Sequence, residues 1–563
     1  MRPIPNRIPR SSWLTVTIGL ATLLYTWVYY RPMLAGPLVL NDDMVQHYLW
    51  LFVDYYGLGW SDDFYAEASA AIQPRGFYYL LKAAGRFVDP LTISRAGPFL
   101  IALLTVGYGT ALLRRYTHVI LAVAGCWLVV HLNFHSSVGF VARSFMTPLL
   151  LAFAYYLLTD RPWGTAVTTV AAALLYPPAL LINGGVFLCW KLGELVNWVR
   201  QPRDRRGGRR ASPFRDWWVY GLGFGVALLV VWWHAERVRH HPYLGGYLPL
   251  EELLGAPEFQ GDGRVGIRGA VTAPAGAMVR YFLRGNLGSP LPWYFERLVL
   301  LAVAGVTLWR WRTLGRVGAW LLALGVVCVA WYYLARATFP LLFLPDRYLV
   351  YPWRTWAPLL LTFVAMGAWT LRPRAGWAAV LGALLLGYGY YRQAPAELPV
   401  SDQTGREEIF AAVAALPEDA VVAMPPALAS QVPVFTRRQP FVSTESAHAL
   451  YFRRYNAYVM PRFRAFTDAY TTRGDSLQNV VDFMRTWEVD YLMVDRNQLR
   501  NTWFRAFEPH NQRFYDRLKP VPVAERTLLH LPDSVGVLIQ DRLQLVSAAE
   551  LEALAGRRAA GGR

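Results

Sequence analysis

Cysteine, lysine and charged residues in general are scarce in this sequence of 563 residues. The three cysteines, Cys126, Cys189 and Cys328, lie far apart inside apolar segments. Their placement predicts neither a disulfide framework nor a metal cluster. Charged residues make up only 17% of the chain, against about 25% in an ordinary globular domain. This shortage excludes a disordered chain and a plain cytosolic enzyme.

Apolar residues take the place of the missing charge, since 55% of the chain is hydrophobic and the mean hydropathy is +0.23. The remaining charge is strongly basic, with a formal net charge of +18 carried almost entirely by arginine. Much of that arginine lies in short runs between apolar segments, where it marks membrane topology. The run at 203–210 lacks interleaved aromatic residues, so no nucleic-acid partner is predicted. The composition predicts a multi-span membrane protein with a substantial water-exposed part.

Apolar runs predict about eleven membrane spans, each of about 20 apolar residues or fewer where neighbouring helices cover it. The long run 163–195 is divided into two short helices by Tyr176-Pro177-Pro178, which is interpreted as an ordinary outer turn. The alternative is an irregular segment that lines a cavity or is buried in protein. The predicted runs are 13–30, 97–113, 117–132, 145–159, 163–195 (two helices), 217–234, 297–311, 317–335, 351–371 and 376–391.

The short arginine-bearing loops all fall on one side when these spans alternate, and that side is predicted to be the cytoplasm. The N-terminus is then cytoplasmic. The segment 31–96 becomes a long first outer loop, and everything after about residue 392 lies outside. The preference for arginine over lysine fits a GC-rich bacterial genome. We therefore expect a protein of the bacterial cytoplasmic membrane, embedded in the lipid bilayer.

The composition changes near residue 393, where long apolar runs give way to alternating strand-like and helix-like patterns. Buried strands are predicted at 420–424, 489–495 and 536–539, with helices at 406–416 and 475–487 between them. This alternation predicts an α/β domain with a largely parallel sheet. The fold class is thus an α-helical polytopic membrane bundle, residues 1–392, followed by a C-terminal extracytoplasmic α/β domain, residues 393–563.

Two adjacent carboxylates, Asp42 and Asp43, follow the first span in the first outer loop. Carboxylates at a membrane boundary are costly unless they pair with arginine, bind a cation or transfer protons. Either one can serve as a general base for an acceptor hydroxyl or as an oxygen ligand for a metal. The alternative is that Asn41-Asp42 only caps the following helix. His47 is a further ligand candidate, within an amphipathic stretch to Tyr56 that is expected at the membrane interface.

Later in the same loop, Asp62, Asp63 and Glu67 form a second acidic cluster. Asp62 and Asp63 are candidates for recognising a sugar hydroxyl or supplying a ligand. The alternative interpretation is a solvated helix start.

Arginines in the other outer loops are candidates for binding a phosphate, because the planar guanidinium matches phosphate oxygens. Arg143 lies near the outer end of one span, and Arg347 lies in Pro345-Asp346-Arg347-Tyr348, so Tyr348 joins it as a substrate-binding candidate. The alternatives are contact with lipid headgroups or a weak Asp346–Arg347 surface pair. No phosphate-binding glycine loop, serine-nucleophile elbow or zinc-ligand spacing is found in the sequence. A sugar donor is therefore expected from the membrane.

Together these features resemble the GT-C superfamily of integral-membrane glycosyltransferases. The resemblance is carried by the basic N-terminal tail, the Asp42-Asp43 pair, the Pro345-Asp346-Arg347-Tyr348 element before a late span and the outer α/β region. It implies transfer of a sugar from a polyprenyl-phosphate-linked donor to a glycan, lipid or protein acceptor on the outer face. It further implies that Asp42 or Asp43 acts as base, that Asp43 is the candidate ligand if a divalent cation (Mg or Mn) is used, and that Arg347 and Arg143 contact the donor phosphate.

The sequence departs from the family's oligosaccharyltransferases, because Trp217-Trp218 is preceded rather than followed by an aspartate and lies on the predicted cytoplasmic side. Protein N-glycosylation is therefore not favoured. Two other classes stay open: a transporter or flippase of lipid-linked sugars, and a non-catalytic cell-envelope scaffold. Convergence of Asp42, Asp43 and Arg347 on one cavity favours the enzyme, whereas scattered positions favour the scaffold.

Overall fold

The computed structural model describes residues 12–60, 64–200, 216–267, 271, 293–342, 344–370, 373–393, 400–474 and 477–561. The predicted site residues Asp62 and Asp63 lie outside the described residues.

The N-terminal two thirds of the described chain is helical. Its helices are α1 (Ser12–Tyr30), α2 (Asp42–Tyr56), α3 (Phe64–Ile72), α4 (Arg75–Ala84), α5 (Pro90–Leu113), α6 (Val119–Ser137), α7 (Met146–Leu158), α8 (Pro162–Leu175), α9 (Pro177–Arg200), α10 (Trp217–His240), α11 (Leu250–Gly255), α12 (Trp293–Ala337), α13 (Val350–Trp369) and α14 (Ala375–Gln393). Short 3-10 turns at Ala142–Phe145 and Pro345–Tyr348 precede α7 and α13.

Five helical segments in the described part of the chain are long and apolar enough to cross a membrane. They are Pro90–Leu113, Val119–Ser137, Pro177–Arg200, Trp217–His240 and Gly315–Ala337. Shorter apolar helices span Ala142–Leu158, Pro162–Leu175 and Ala375–Gly389. The chain is thus an integral membrane protein, and the finer count of eleven spans stays a prediction.

Two breaks divide long apolar stretches into separate helices. Tyr176 is extended (φ −155°, ψ 90°), because the following Pro177-Pro178 disfavours helical backbone before it, and it separates α8 from α9. Gly315 interrupts α12 with φ 52° and ψ −134°, a conformation that glycine adopts most easily. The helices pack both on sequence neighbours and on distant helices, with α6 against α5, α13 and α14, and α8 against α7 and α10.

The C-terminal part contains a five-stranded sheet covered by helices. Its strands are β3 (Val421–Ala423), β4 (Gln439–Pro440), β5 (Tyr491–Asp495), β6 (Val537–Ile539) and β7 (Leu543–Ser547), in the spatial order β4-β3-β5-β7-β6. Its helices are α15 (Glu407–Ala414), α16 (Pro426–Ala429), α17 (Val432–Thr436), α18 (Arg453–Tyr470), α19 (Gln478–Thr486), α20 (Arg496–Asn501), α21 (His510–Leu518) and α22 (Ala548–Gly561).

The prediction of a largely parallel sheet is wrong for half of the strand pairings. β3 runs parallel to β4 and β5, whereas β7 runs antiparallel to both β5 and β6. β6 and β7 form a hairpin in which Ile539 pairs with Leu543. Such a short connection allows only an antiparallel pairing, since a parallel crossover needs a dozen or more residues.

Helix α2 joins the membrane bundle to the C-terminal part. Met44 and Tyr48 belong to the apolar core of the bundle, whereas Leu49 belongs to the core that contains the C-terminal sheet. A short strand just before the helix, β1 (Val39–Leu40), pairs with β2 (Ser401–Asp402). The apolar side chains of α2 therefore pack inside the protein, and the location of this stretch at the membrane interface stays a prediction.

Candidate functional site

The two adjacent carboxylates, Asp42 and Asp43, lie in the first turn of α2. Asn41 is the residue before the helix (φ −92°, ψ 132°), but its side chain makes no capping hydrogen bond, and Asp42 and Asp43 follow it. Negative charge at this end of a helix is favoured by the helix dipole. The capping alternative thus does not describe the Asn41 side chain. The loop that contains Gly139 packs so closely on Asn41 that a Cβ at Gly139 (φ 80°) would lie 2.4 Å from Asn41 Oδ1.

Asp43 forms a salt bridge with Arg143, which lies on the Ala142–Phe145 turn. Both side chains are largely buried, with 29% of Asp43 and 20% of Arg143 exposed. Burial alone raises the pKa of Asp43, but the charge and hydrogen bond of Arg143 outweigh it and hold this pKa below its usual value. Asp43 is thus a stable carboxylate, and Arg143 is a guanidinium held in place just before the start of α7.

Asp42 has different surroundings, although it is the preceding residue. Its side chain is exposed to solvent, and it makes no salt bridge within the described residues. Partial desolvation by the surrounding protein and the charge of Asp43 raise the pKa of Asp42. A hydrogen bond with Ser401 of β2 acts in the opposite direction. Asp42 is therefore the accessible, more basic carboxylate of the pair.

Arg347 lies on the Pro345–Tyr348 turn, which packs against α9, α12 and α13. Its side chain is partly buried, and its guanidinium makes no salt bridge or hydrogen bond with the described residues. The alternative of an Asp346–Arg347 salt bridge is wrong for the described residues, which contain no such pair. The buried Oδ1 atom of Asp346 has no hydrogen bond among them. Tyr348 is buried and stacks on Trp331, with ring centroids 6.2 Å apart.

His47 connects the aspartate pair to the two arginines. It lies one turn after Asp43 on α2, and it interacts electrostatically with Asp43, Arg143 and Arg347. Its Nδ1 atom is 3.0 Å from Nε2 of Gln73. Burial lowers the pKa of His47 to about 4, so the ring is neutral at pH 7. The structure thus brings His47, Asp43, Arg143 and Arg347 together. Asp42 precedes Asp43 and Tyr348 follows Arg347 in the sequence, and the predicted roles of all six residues stay proposals.

Three residues at this site were not predicted from the sequence: Arg264, Glu445 and His448. Arg264 donates to Glu445 (2.7 Å) and to the carbonyl oxygen of Thr444 (2.7 Å). Glu445 also accepts a hydrogen bond from Gln46 of α2. Burial raises the pKa of Glu445, although the charge of Arg264 acts in the opposite direction.

His448 lies close to Glu445 and contacts His47 of α2. Its ring centroid is 6.4 Å from that of His47, and its Nδ1 atom lies 3.1 Å from the carbonyl oxygen of Glu445. Because a carbonyl oxygen only accepts, Nδ1 carries the proton. Burial lowers the pKa of His448 to about 3. In the sequence, the segment that contains Glu445 and His448 is typical of an ordinary polar loop. The spacing of its residues does not indicate a functional site.

The donor atoms fit a divalent cation poorly. Among the described residues, no group of three or more His, Cys, Asp or Glu side chains is placed to hold a metal ion. Asp43 is already paired with Arg143, and Glu445 is already paired with Arg264. A hard cation needs several free oxygen ligands, and among the described carboxylates of this cluster Asp42 alone lacks a salt bridge with a guanidinium. The role of Asp43 as a metal ligand stays a prediction, and no chemical step is derived through a metal.

Comparison with known proteins gives structural similarities alone. No protein-family model matches the chain, and no curated protein matches it. The solved structures to which this chain is similar include three forms of an oligosaccharyltransferase from Archaeoglobus fulgidus. The apo form is 12% identical, covers 92% of this chain and 72% of its own, and has a TM-score of 0.49.

A second form, in complex with an inhibitory peptide and a dolichol-phosphate, is 12% identical and covers 87% of this chain and 70% of its own, with a TM-score of 0.47. The third, in complex with Zn and sulfate, is 11% identical and covers 86% of this chain and 68% of its own, with a TM-score of 0.45. At this level of similarity, function has to be inferred from the geometry of the site itself.

Proposed function

We propose that this protein is a membrane glycosyltransferase that transfers a sugar from a polyprenyl-phosphate-linked donor to an acceptor on the outer face of the membrane. The observation that carries the proposal is the convergence of Asp43, Arg143 and Arg347 on His47, with the solvent-exposed carboxylate of Asp42 next to Asp43 in the first turn of α2. The cluster lies where the helical bundle meets the C-terminal part. A base beside guanidinium groups is what a displacement with a phosphate leaving group requires.

In the proposed reaction Asp42 accepts the proton of the acceptor hydroxyl. The oxygen of that hydroxyl forms a bond to the anomeric carbon of the sugar, and the bond from this carbon to the phosphate oxygen breaks. The electron pair leaves with the polyprenyl phosphate, whose added negative charge is stabilised by Arg347 and Arg143. A single displacement of this kind inverts the anomeric centre.

Asp43 has a supporting role in this scheme. Its carboxylate holds Arg143 through the salt bridge, and its charge raises the pKa of Asp42, so that Asp42 is a better proton acceptor. The neutral His47 fills the space between these groups without adding positive charge. The mechanism is thus carried by residues of two outer loops and the first turn of α2.

The convergence of these residues supports an enzyme over a non-catalytic scaffold. Asp43, Arg143 and Arg347 come from segments far apart in sequence, yet all three interact electrostatically with the His47 ring. A scaffold has no need to gather an accessible carboxylate and a guanidinium without a salt bridge in one place. The proposal includes the predicted eleven spans, the cytoplasmic N-terminus and the extracytoplasmic C-terminal part.

The test is incubation of the purified full-length protein with a panel of polyprenyl-phosphate sugars and candidate glycan, lipid and protein acceptors. We expect release of polyprenyl phosphate with at least one donor, and a product whose anomeric configuration is opposite to that of the donor. Retention of configuration would contradict the single displacement, and release of free phosphate would contradict the nature of the leaving group.

A further inference from the structure

The break between α8 and α9 places a tyrosine where an ordinary turn was expected. Tyr176 is only 4% exposed, and its hydroxyl is buried without a hydrogen-bond partner among the described residues. A buried hydroxyl without a partner is unfavourable, because it has lost its hydrogen bonds to water. Such groups are rare in folded proteins and call for an explanation, such as a ligand that completes the hydrogen bond.

The elements around this break hold the two arginines of the site. Helix α8, which ends at Leu175, packs against the Ala142–Phe145 turn that carries Arg143. Helix α9, which begins at Pro177, packs against the Pro345–Tyr348 turn that carries Arg347. Tyr176 therefore lies at the junction of both turns, and its hydroxyl interacts electrostatically with both guanidinium groups.

The three side chains offer donors and an excess of positive charge. A guanidinium has five N–H donors and no acceptor, so Arg143 keeps free donors after its salt bridge with Asp43. Arg347 uses none of its donors on the described residues. The hydroxyl of Tyr176 supplies one further O–H donor. A ligand that satisfies all of them must be an anion with several acceptor oxygens, which describes a phosphate group.

We propose that the Tyr176 hydroxyl donates a hydrogen bond to a phosphate oxygen of the lipid-linked donor, between Arg143 and Arg347, and so binds the leaving group; this inference rests on the proposed function. The Pro177-Pro178 break ends α8 and fixes the tyrosine at this position. Tyr176 is then a substrate-binding residue rather than a residue of an outer turn.

The test measures binding of farnesyl phosphate, a short polyprenyl phosphate, to the purified full-length protein and to its Tyr176→Phe variant. We expect about tenfold weaker binding by the variant, the size of effect that loss of one hydrogen bond to a charged group gives. Farnesol, which lacks the phosphate, should bind both proteins equally. The unliganded variant should have an equal or higher melting temperature, because it no longer buries an unpaired hydroxyl.

A matched control is Tyr30→Phe. The Tyr30 hydroxyl is also buried but donates to the carbonyl oxygen of Phe134 at 3.2 Å. This variant should lose thermal stability and keep wild-type affinity for farnesyl phosphate. Only Tyr176→Phe is thus expected to lose affinity, and only Tyr30→Phe is expected to lose thermal stability. Equal affinity of the Tyr176→Phe variant and the wild type would overturn the inference.

The outcome separates this inference from the proposed function. Sugar transfer by the wild type together with unchanged binding by Tyr176→Phe removes Tyr176 alone from the site. Tyrosine-dependent binding of farnesyl phosphate without sugar transfer on any donor supports the phosphate site and contradicts the transferase. Displacement of farnesyl phosphate by inorganic phosphate at equal concentration would contradict a lipid-linked ligand, and absence of any phosphate binding overturns both.

Discussion

Asp42 and Asp43 are adjacent carboxylates that the fold places in unlike surroundings. Asp43 is fixed by Arg143 and has a lowered pKa, whereas Asp42 is exposed to solvent and has a raised pKa. Two titratable groups whose environments separate their pKa values are the usual basis for dividing acid–base roles. Asp42 is therefore assigned the proton transfer, and Asp43 the positioning of the arginine.

Two histidines of the site, His47 and His448, predict loss of stability on acidification. Both titrate near pH 6.5 when unfolded, but burial lowers the folded pKa of His47 to about 4 and that of His448 to about 3. The unfolded chain therefore binds more protons as the pH falls below about 6.5, so stability decreases from there toward pH 4. The melting temperature of the purified protein should fall between pH 7 and pH 5.

The variant His448→Asn isolates the contribution of His448 to the pH dependence of stability. The raised pKa values of Asp42 and Glu445 change stability with pH in the opposite direction, but both groups are also present in the variant. Asparagine still offers a donor near Nδ1 but does not titrate, so its melting temperature should depend less on pH. The exposed His240 provides the control, since His240→Asn should keep the wild-type slope. A wild-type slope in His448→Asn would contradict the assignment of a buried neutral histidine.

At the scale of elements, α2 is the helix that contacts both the membrane bundle and the C-terminal part. Its first turn carries the aspartates, and one turn later Gln46 bonds Glu445 of the C-terminal part. Glu445 in turn holds Arg264, which also acts electrostatically on both aspartates. The position of the aspartates therefore depends on the contact between α2 and the segment around Glu445.

Replacing Glu445 by glutamine should weaken this contact. Arg264 and Glu445 are only 19% and 13% exposed, so the variant leaves a largely buried guanidinium without its countercharge. We expect destabilisation by about 1.5–3 kcal/mol, as for loss of a hydrogen bond to a charged group. Hydrogen exchange should also become faster in the first turn of α2.

The control is Glu552→Gln, which removes a salt bridge between the exposed side chains of Arg485 and Glu552. Exposed pairs contribute about 0–1 kcal/mol, so this variant should unfold almost like the wild type. If Glu445→Gln is no less stable than this control, Glu445 does not hold α2.

The helices were more accessible to prediction than the contacts of the site. Apolar runs are local, so the helices lie close to the predicted runs, and Asp42, Asp43, Arg143 and Arg347 could be selected because each follows or precedes such a run. Glu445 is 399 residues from Gln46 and 181 from Arg264, and partners at such separations leave no spacing pattern. The order of strands β4, β3, β5 and β7 could not be predicted for the same reason, whereas the antiparallel β6–β7 hairpin follows from its short connection.

At the scale of the whole molecule, the positive charge and the fold together predict an orientation. The arginine-bearing short loops are expected in the cytoplasm, and the sheet-containing part is expected on the opposite side with the site. Arg114 lies in one of these loops and Glu418 in the C-terminal part, and both are exposed. They are suitable positions for reporter cysteines.

In a variant whose three native cysteines are replaced, Glu418→Cys should react with a membrane-impermeant maleimide in intact cells or spheroplasts. Arg114→Cys should react only after the membrane is permeabilised. Labelling of the two positions in the reverse order would contradict the proposed orientation, and labelling of both before permeabilisation would contradict the odd number of spans between them.

The most direct test of the central claim compares Asp42→Asn with Asp54→Asn in the release of polyprenyl phosphate from the donor sugar. Asp54 lies on the same helix but is 53% exposed and is paired loosely with Lys82 at 3.8 Å, outside the site. We predict that Asp42→Asn lowers kcat by about 10²–10⁴-fold, the usual contribution of a general base, while Asp54→Asn keeps wild-type activity. Full activity of a folded Asp42→Asn protein would contradict the assignment of Asp42 as the base and, with it, the central claim.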